Sequence, residues 1–376
     1  MHLEPQVFRL LAVLAGSGGA VISKDELIDE VWDGLNVSDA TVSARISAAR
    51  RAVGDDGQAQ RIIRTIPKRG IQMVAETETG DSAQTAGAVA CHAAPAIRFT
   101  KSSDGELIAY SHHGEGPPLV RVSHWLSHLE LDWDSPVWAP LLSRLGQSST
   151  LYRYDQRGTG LSTRDVSNLT LDAFVDDLKA VMDANELERP AIFAASQAVP
   201  VAIRFAARYP DRVSRMVLYG GFAVGRIHRQ AGPGEIDEET ILGLIRAGWG
   251  QEDGAFLNAF SALFIPDATP EQVQSFVRIQ NKSISPENAA LQRMAVDRFV
   301  VEDDLPKVTV PVLLAHAHAD AINPVSQSRM MAARLPDARF MLLDSRNHAP
   351  LPQEKSWGKL VDAVISFCAE GAGPGL

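Results

Sequence analysis

Ser196, Asp320 and His348 are the residues of this chain whose types could together do covalent chemistry. A serine hydroxyl is a weak nucleophile until a base takes its proton, and an imidazole serves best when a carboxylate fixes its tautomer. Each of the three sits where a strand would end. Ser196 follows the apolar run Ala191–Ala195 and opens a helical pattern, in the frame Ala194-Ala195-Ser196-Gln197-Ala198. Small residues two before and two after a serine allow a sharp strand–turn–helix that exposes its oxygen. Asp320 follows Val310–Ala317, and His348 follows Arg339–Leu343. The chemistry such a set performs is acyl transfer, and its oxyanion needs backbone N–H groups rather than particular side chains. Those are expected from Gln197, next to the nucleophile, and from Trp125, in the loop after Pro118–Ser123.

A second group of residues points to a polyanion. Residues 1–40 carry Arg9 and Lys24 against seven acids. Residues 41–75 carry Arg45, Arg50, Arg51, Arg61, Arg64, Lys68 and Arg69 against only Asp55 and Asp56. Such polarity along about 75 residues suggests one face made for nucleic acid. The alternative is a solvated basic face on a small protein-interaction domain.

The elements that must position these residues can be read from periodicity. Val7, Leu10, Leu11 and Leu14 form a helical stripe. Ser23 and Glu26 form a capping box that opens a helix burying Leu27, Ile28 and Val31. Ser38 or Asp39 caps a third helix, with Val42, Ile46, Ala49 and Val53 on one side and Arg45, Arg50 and Arg51 off that stripe. Two strands, 62–66 and 71–74, flank a basic tip, Pro67-Lys68-Arg69-Gly70. Three helices and a basic hairpin make a winged helix. The third helix would enter the major groove of double-stranded DNA, and the hairpin would touch phosphate or minor groove. Arg45, Arg50, Arg51, Arg64, Lys68 and Arg69 are the expected contacts. Beyond residue 96 strands and helices alternate: 118–123, 150–155, 191–195, 213–219, 310–317 and 339–343 read as buried strands, with helices such as 171–184 and 199–208 between them. This is an α/β fold with a doubly wound sheet, whose ligands bind at the carboxyl ends of the strands. Between the two units, Glu76 to Pro95 (ETETGDSAQTAGAVACHAAP) reads as a flexible linker. The expected domains are 1–75, a linker 76–95, and 96–376.

Two family resemblances rest on these residues. Residues 3–75 resemble the OmpR-type winged-helix effector domain of transcriptional regulators, through LEPQVFRLLAVLA, SKDELIDEVW, SDATVSARISAARRAVGDD and IIRTIPKRG. That family places a small antiparallel sheet before its first helix, and here the chain begins at the last residues of that region. No receiver segment with a phospho-accepting aspartate is read, so phosphorelay control is not implied. Residues 97–370 resemble the α/β-hydrolase superfamily. The order Ser…Asp…His is that family's triad order, and Tyr154-Asp155-Gln156-Arg157-Gly158-Thr159-Gly160-Leu161-Ser162 is similar to its D-x-R-G-x-G-x-S turn. The resemblance implies a mostly parallel sheet, a helical cap at about 222–307, and esterase-like hydrolysis or a ligand pocket on the same frame. Two departures stand out. The usual Gly-x-Ser-x-Gly-Gly is Ala194-Ala195-Ser196-Gln197-Ala198-Val199, with Val199 where the helix must approach the sheet. The usual His-Gly before the oxyanion residue is Ser123-His124.

Other residues compete for attention. His316-Ala317-His318-Ala319-Asp320 is superficially like an H-x-H-x-D metal motif, but the hydrolase frame already accounts for Asp320, so no metal and no cofactor are expected. Asp155 and Arg157 are expected to brace their turn. His112, His113, His124 and His128 are candidates for the pocket mouth or for packing, and Trp133 and Trp138 for the core. Cys91 and Cys368, the two cysteines, show no metal-ligand spacing and fit free thiols in a reducing cytoplasm. No apolar run approaches the ~18 residues of a membrane span, and no secretion signal is visible. The net charge of -10 argues against nucleic acid until the chain is divided, because the whole surplus lies beyond residue 75. Two readings follow. One is a one-component DNA-binding regulator whose hydrolase-fold domain binds, and could hydrolyse, a small ester or lactone, with a homodimer or linker order carrying the signal. The other is a serine esterase with a vestigial or protein-interaction winged helix.

Overall fold

The computed structural model describes residues 5–17, 19–32, 37–55, 60–67, 69–74, 95–229, 237–250 and 255–370. They belong to two compact units, 1–90 and 91–376. Most of the stretch read as a linker lies outside the described residues.

The smaller unit packs three helices, α1 (Pro5–Gly16), α2 (Lys24–Trp32) and α3 (Asp39–Ala52), against a hairpin of β1 (Ile63–Ile66) and β2 (Gly70–Met73). The capping box is formed: Ser23 N–H donates to Glu26 Oε2 (2.8 Å), and Glu26 N–H donates to Ser23 Oγ (3.2 Å). Ser38 is the cap of α3. Val7, Leu10, Leu14, Leu27, Val31, Trp32, Val42, Ile46 and Ala49 meet Ile63, Ile71 and Met73 in one core. The helical stripes thus face inward together, as their 3.6-residue period requires. A bridge from Ile22 to Ile71 ties the hairpin to the start of α2. Only glycine fits beside it at position 70: a Cβ there would lie 1.9 Å from the Ile22 carbonyl oxygen, at φ +145°.

The larger unit is a doubly wound sheet. Its strands are β3 (Arg98–Lys101), β4 (Leu107–His113), β5 (Pro118–Arg121), β6 (Thr150–Tyr154), β7 (Ala191–Ala195), β8 (Met216–Tyr219), β9 (Val312–Ala317) and β10 (Ala338–Leu343). Their order is β10-β9-β8-β7-β5-β6-β4-β3, parallel throughout except for the antiparallel β3 and β4 at one edge. The helices α4 (Ala139–Gly146), α5 (Leu171–Ala184), α6 (Ala198–Arg208), α11 (Val325–Arg334) and α12 (Lys355–Ala369) connect or follow the strands. Among the described residues between β8 and β9 lie four further α-helices: α7 (Glu238–Gly248), α8 (Ala255–Phe264), α9 (Pro270–Ser283) and α10 (Pro286–Val296). The central strands are buried on both faces, which explains their near-continuous apolar runs. Neither β3 nor β4 is among the strands expected from periodicity. β3 is an edge strand, mostly exposed, and carries no alternating apolar signal. The order reverses around β5, which lies between β6 and β7, and the carboxyl ends of strands at such a reversal are where a ligand site forms.

Candidate active site and DNA-facing surface

The sheet brings Ser196, Asp320 and His348 together. Ser196 stands between the end of β7 and the start of α6, with φ 55°, a conformation that strains any residue but glycine. Two bonds hold the turn: Ser196 N–H donates to the Tyr219 carbonyl (2.9 Å), and Val199 N–H donates to the Ser196 carbonyl (3.1 Å). Ser196 Oγ donates to His348 Nε2 at 2.8 Å, and His348 Nδ1–H donates to Asp320 Oδ2 at 2.7 Å. The second oxygen of Asp320 accepts from the N–H groups of Ile322 (2.8 Å) and Asn323 (3.1 Å). Burial would raise this carboxyl's pKa, but the imidazole and those two N–H groups prevail and hold it below the usual carboxylate range. The His348 imidazole therefore has a carboxylate partner at neutral pH.

The space beside Ser196 is a cavity of about 30 Å³. It is walled by Trp125, Trp138, Tyr219, Phe264, Phe276 and His124. Among the described residues, the backbone N–H groups of Trp125 and Gln197 have no hydrogen-bond acceptor. Such orphan donors are what a developing oxyanion requires. The end of α8 reaches the site from above. The Phe264 carbonyl accepts from the N–H groups of His348 (2.7 Å) and Ala349 (3.2 Å), and its ring stands edge-on to the imidazole, 5.5 Å between centroids. A larger cavity of about 600 Å³, lined by Leu169, Leu291, Met294, Phe299 and Arg204 among others, shares no lining residue with the serine's pocket.

Val199, the bulky residue near Ser196, is accommodated from the other side. A Cβ added to Gly221 would lie 2.2 Å from Val199 Cγ2. The glycine missing from the helix start is thus matched by a glycine beyond β8, a pairing invisible without the tertiary contact.

Asp155 and Arg157 brace their turn. The Asp155 carboxylate, fully buried, accepts from Ser127 Oγ–H (2.8 Å), Leu161 N–H (2.9 Å) and Leu129 N–H (3.2 Å). Arg157 pairs with Asp177 and with Asp104. The histidines and aspartate of the H-x-H-x-D stretch do not gather into a metal site. His316 is buried between Ser328 and Asn323, whereas His318 is half exposed and faces Asp344. No cluster able to hold a metal occurs among the described residues. Of the four histidines that are candidates for the pocket mouth or for packing, His124 lines the pocket, and His113 packs edge-on against Trp133 and bonds the Leu142 carbonyl. Trp138, expected in the core, is buried there and also forms a wall of the pocket.

In the smaller unit the basic residues separate by role. Arg51, Arg64 and Arg69 are exposed on α3, β1 and the hairpin turn, and Arg61 beside β1 is exposed as well. Arg45 is half-buried. Lys68 lies outside the described residues. Arg50 departs from expectation. It is only 7% exposed, and its guanidinium donates to the Ile63 carbonyl (3.0 Å) and to Thr65 Oγ1 (2.8 Å), tying α3 to β1. A helical stripe cannot reveal this, because the acceptors belong to a strand 13 and 15 residues away. Asp55 is likewise structural: its carboxylate accepts from the N–H groups of Arg61, Ile62 and Ile63 at 2.8–3.0 Å and anchors the start of the hairpin.

Residues 1–73 match the family described as transcriptional regulatory protein, C terminal, and residues 117–240 match the alpha/beta hydrolase fold. This chain joins an OmpR-type transcriptional regulatory domain to an α/β-hydrolase domain. The regulatory domain is similar to the cholera toxin transcriptional activator of Vibrio cholerae, 34% identical over 86 residues, which is 22% of this chain and 29% of that protein. The hydrolase domain is similar to a putative carbamate hydrolase RutD of Caulobacter sp. (strain K31), 29% identical over 60% of this chain and 83% of that one. It is also similar to a pimeloyl-[acyl-carrier protein] methyl ester esterase of Nitrosomonas europaea, 28% identical over 63% of this chain and 90% of that one. Its fold matches that of an esterase from Exiguobacterium antarcticum, with a TM-score of 0.61 at 20% identity, over 72% of this chain and 98% of that one. Among the described residues, no helix is long and apolar enough to cross a membrane.

Proposed function

We propose that this protein is a one-component regulator that binds double-stranded DNA through its winged helix and that its hydrolase domain binds and hydrolyses a small ester- or lactone-like molecule. The observation that carries the chemistry is the unbroken Ser196–His348–Asp320 relay, with bonds of 2.8 and 2.7 Å, beneath an aromatic pocket. Ser196 Oγ attacks the substrate carbonyl carbon as His348 Nε2 takes its proton. The tetrahedral oxyanion accepts from the N–H groups of Trp125 and Gln197. His348 then returns the proton to the leaving oxygen, an acyl-serine forms, and water repeats the sequence to release the acid. Asp320 keeps the imidazole's proton on Nδ1 and stabilises the imidazolium. No cofactor takes part. The relatives named above are a putative carbamate hydrolase and a methyl ester esterase, and both names describe cleavage at a carbonyl carbon open to the same attack.

The pocket's apolar walls favour a small neutral molecule. Its arrival under α8 and α9 would alter DNA binding through dimerisation or through order in the segment joining the domains. In this reading the protein works in the cytoplasm, where operator DNA and the ligand meet.

The test uses the full chain. Wild type should hydrolyse p-nitrophenyl acetate, and Ser196→Ala should not; equal rates would remove Ser196 as the nucleophile. A gel shift on promoter and random DNA should show binding that weakens with salt. Absence of binding at any sequence and low salt would leave a serine hydrolase with a winged helix that does not read DNA.

A further inference from the structure

The loop that presents the Trp125 N–H departs from its family by carrying Ser123-His124 before the oxyanion residue. His124 is not idle bulk. It is 5% exposed, lines the pocket with Ser196 and His348, and bonds two partners. Its Nδ1 lies 2.8 Å from the carbonyl of Trp125, the next residue. Its Nε2 meets the guanidinium of Arg121. A guanidinium only donates and a carbonyl only accepts. The imidazole is therefore neutral with its proton on Nδ1: Arg121 donates to Nε2, and Nδ1–H donates to the Trp125 carbonyl. Burial, and then the charge of Arg121, keep its pKa well below the ordinary histidine value, in agreement.

The Nδ1–H···O=C bond closes a ring that contains the whole peptide unit between His124 and Trp125, so the N–H of Trp125 is one of the groups the ring orients. The bond also fixes the carbonyl leading into Leu126, whose φ of 55° is a conformation that a branched side chain adopts only when its surroundings impose it. Arg121 is itself held from two sides. It pairs with Asp132 at 3.5 Å, and its guanidinium lies 5.0 Å from the centre of the Trp138 ring. Arg121 and Asp132 are 3% and 1% exposed. Burying a guanidinium is expensive, and this one reaches the oxyanion loop through a single imidazole.

We propose that Arg121 and His124 are positioning residues that aim the Trp125 N–H at the oxyanion, taking over by hydrogen bonds what the family's own loop sequence does there. This rests on the serine-hydrolase reading above. Removing an oxyanion donor outright costs about 100- to 1,000-fold in kcat, so a donor that is present but misaimed should cost less.

The experiment follows p-nitrophenyl acetate hydrolysis and inhibition by 1-butaneboronic acid in wild type, His124→Ala, His124→Asn and Arg121→Lys. Ser196 Oγ adds to boron, its proton passes to His348, nothing leaves, and the tetrahedral adduct samples the oxyanion site. His124→Ala should lower kcat by about 10- to 100-fold with KM nearly unchanged, and the boronic acid should weaken in step. His124→Asn should recover most of both, because its amide can donate to the Trp125 carbonyl. Arg121→Lys should fall between. The positioning role is overturned if wild type is active but His124→Ala keeps its kcat, or raises KM alone, or binds the boronic acid as wild type does. A wild type no faster than Ser196→Ala overturns the hydrolase reading instead, a different result. If His124→Ala does not fold, Arg121→Lys against His124→Asn makes the same comparison, with kcat and boronic acid affinity required to fall together in the lysine variant.

Discussion

The hydrolase domain bonds its candidate residues to one another in a largely buried site, whereas the regulatory domain exposes Arg51, Arg61, Arg64 and Arg69 and buries Arg50, which serves the fold. Asp320 and His348 are 1% and 5% exposed and joined at 2.7 Å. Arg51, Arg64 and Arg69 are exposed. The difference follows from the two kinds of chemistry. Proton transfer and oxyanion stabilisation depend on angles and on exclusion of water, which only a packed interior supplies. Attraction to phosphate depends on charge that stays in solvent until DNA arrives and displaces counterions. Arg50 marks the boundary between the two modes. It is chemically identical to Arg51, adjacent in the chain, and turned inward to hold the hairpin.

This contrast can be broken at several points. The largest effect belongs to the buried site. Ser196→Ala should reduce hydrolysis by about 10⁶-fold relative to wild type, while the DNA affinity of ligand-free protein should stay the same. A hydrolysis rate lowered only tenfold would mean that another group attacks. Next come the neighbouring arginines. Arg50→Ala removes a charged donor from two acceptors and should destabilise the regulatory domain by about 2–4 kcal/mol, seen as an earlier calorimetric transition with esterase activity intact. Arg51→Ala should leave that transition in place and weaken DNA binding, reducing the salt slope by about one. If the two variants behaved alike, the division between structural and DNA-facing arginines would fail.

A smaller effect tests the turn at Ser196. Gly221→Ala puts a methyl against Val199 and should cost about 1–3 kcal/mol in a denaturant titration of the hydrolase domain. Adding Val199→Gly, which also removes the Val199 Cβ that would lie 2.3 Å from the new methyl, should restore part of that loss, and a strictly additive double variant would show that the two positions do not compensate each other. The smallest effect concerns Cys368. Burial pushes its thiol up to about 12, so at pH 8 almost none is thiolate. In a Cys91→Ser background the native protein should react with a disulfide reagent only slowly, and rapidly after denaturation. A fast native reaction would mean that α12 opens readily.

Several elements are legible in the chain itself. The apolar runs 191–195 and 310–317, and the capping box at Ser23 and Glu26, are local signals, and local signals survive folding. The antiparallel edge strands β3 and β4 are harder to see, because an exposed strand such as β3 has no burial pattern to display. The motif around Asp155 marks a braced turn, but its three donors, Ser127, Leu129 and Leu161, come from two separate loops.

By itself the sequence determined which residue types were present, which turns they followed, and that a small domain with a basic second half precedes an acidic large one. Those properties are set by composition and by spacing of a few residues. Only the tertiary structure decided that His348 lies within 2.8 Å of a serine 152 residues earlier, that Gly221 makes room for Val199, that Arg50 belongs to the fold, and that His124 bonds both Arg121 and the Trp125 carbonyl. Each of these is a long-range or side-chain distance. Such distances are products of how sheets and helices pack, which no local pattern encodes.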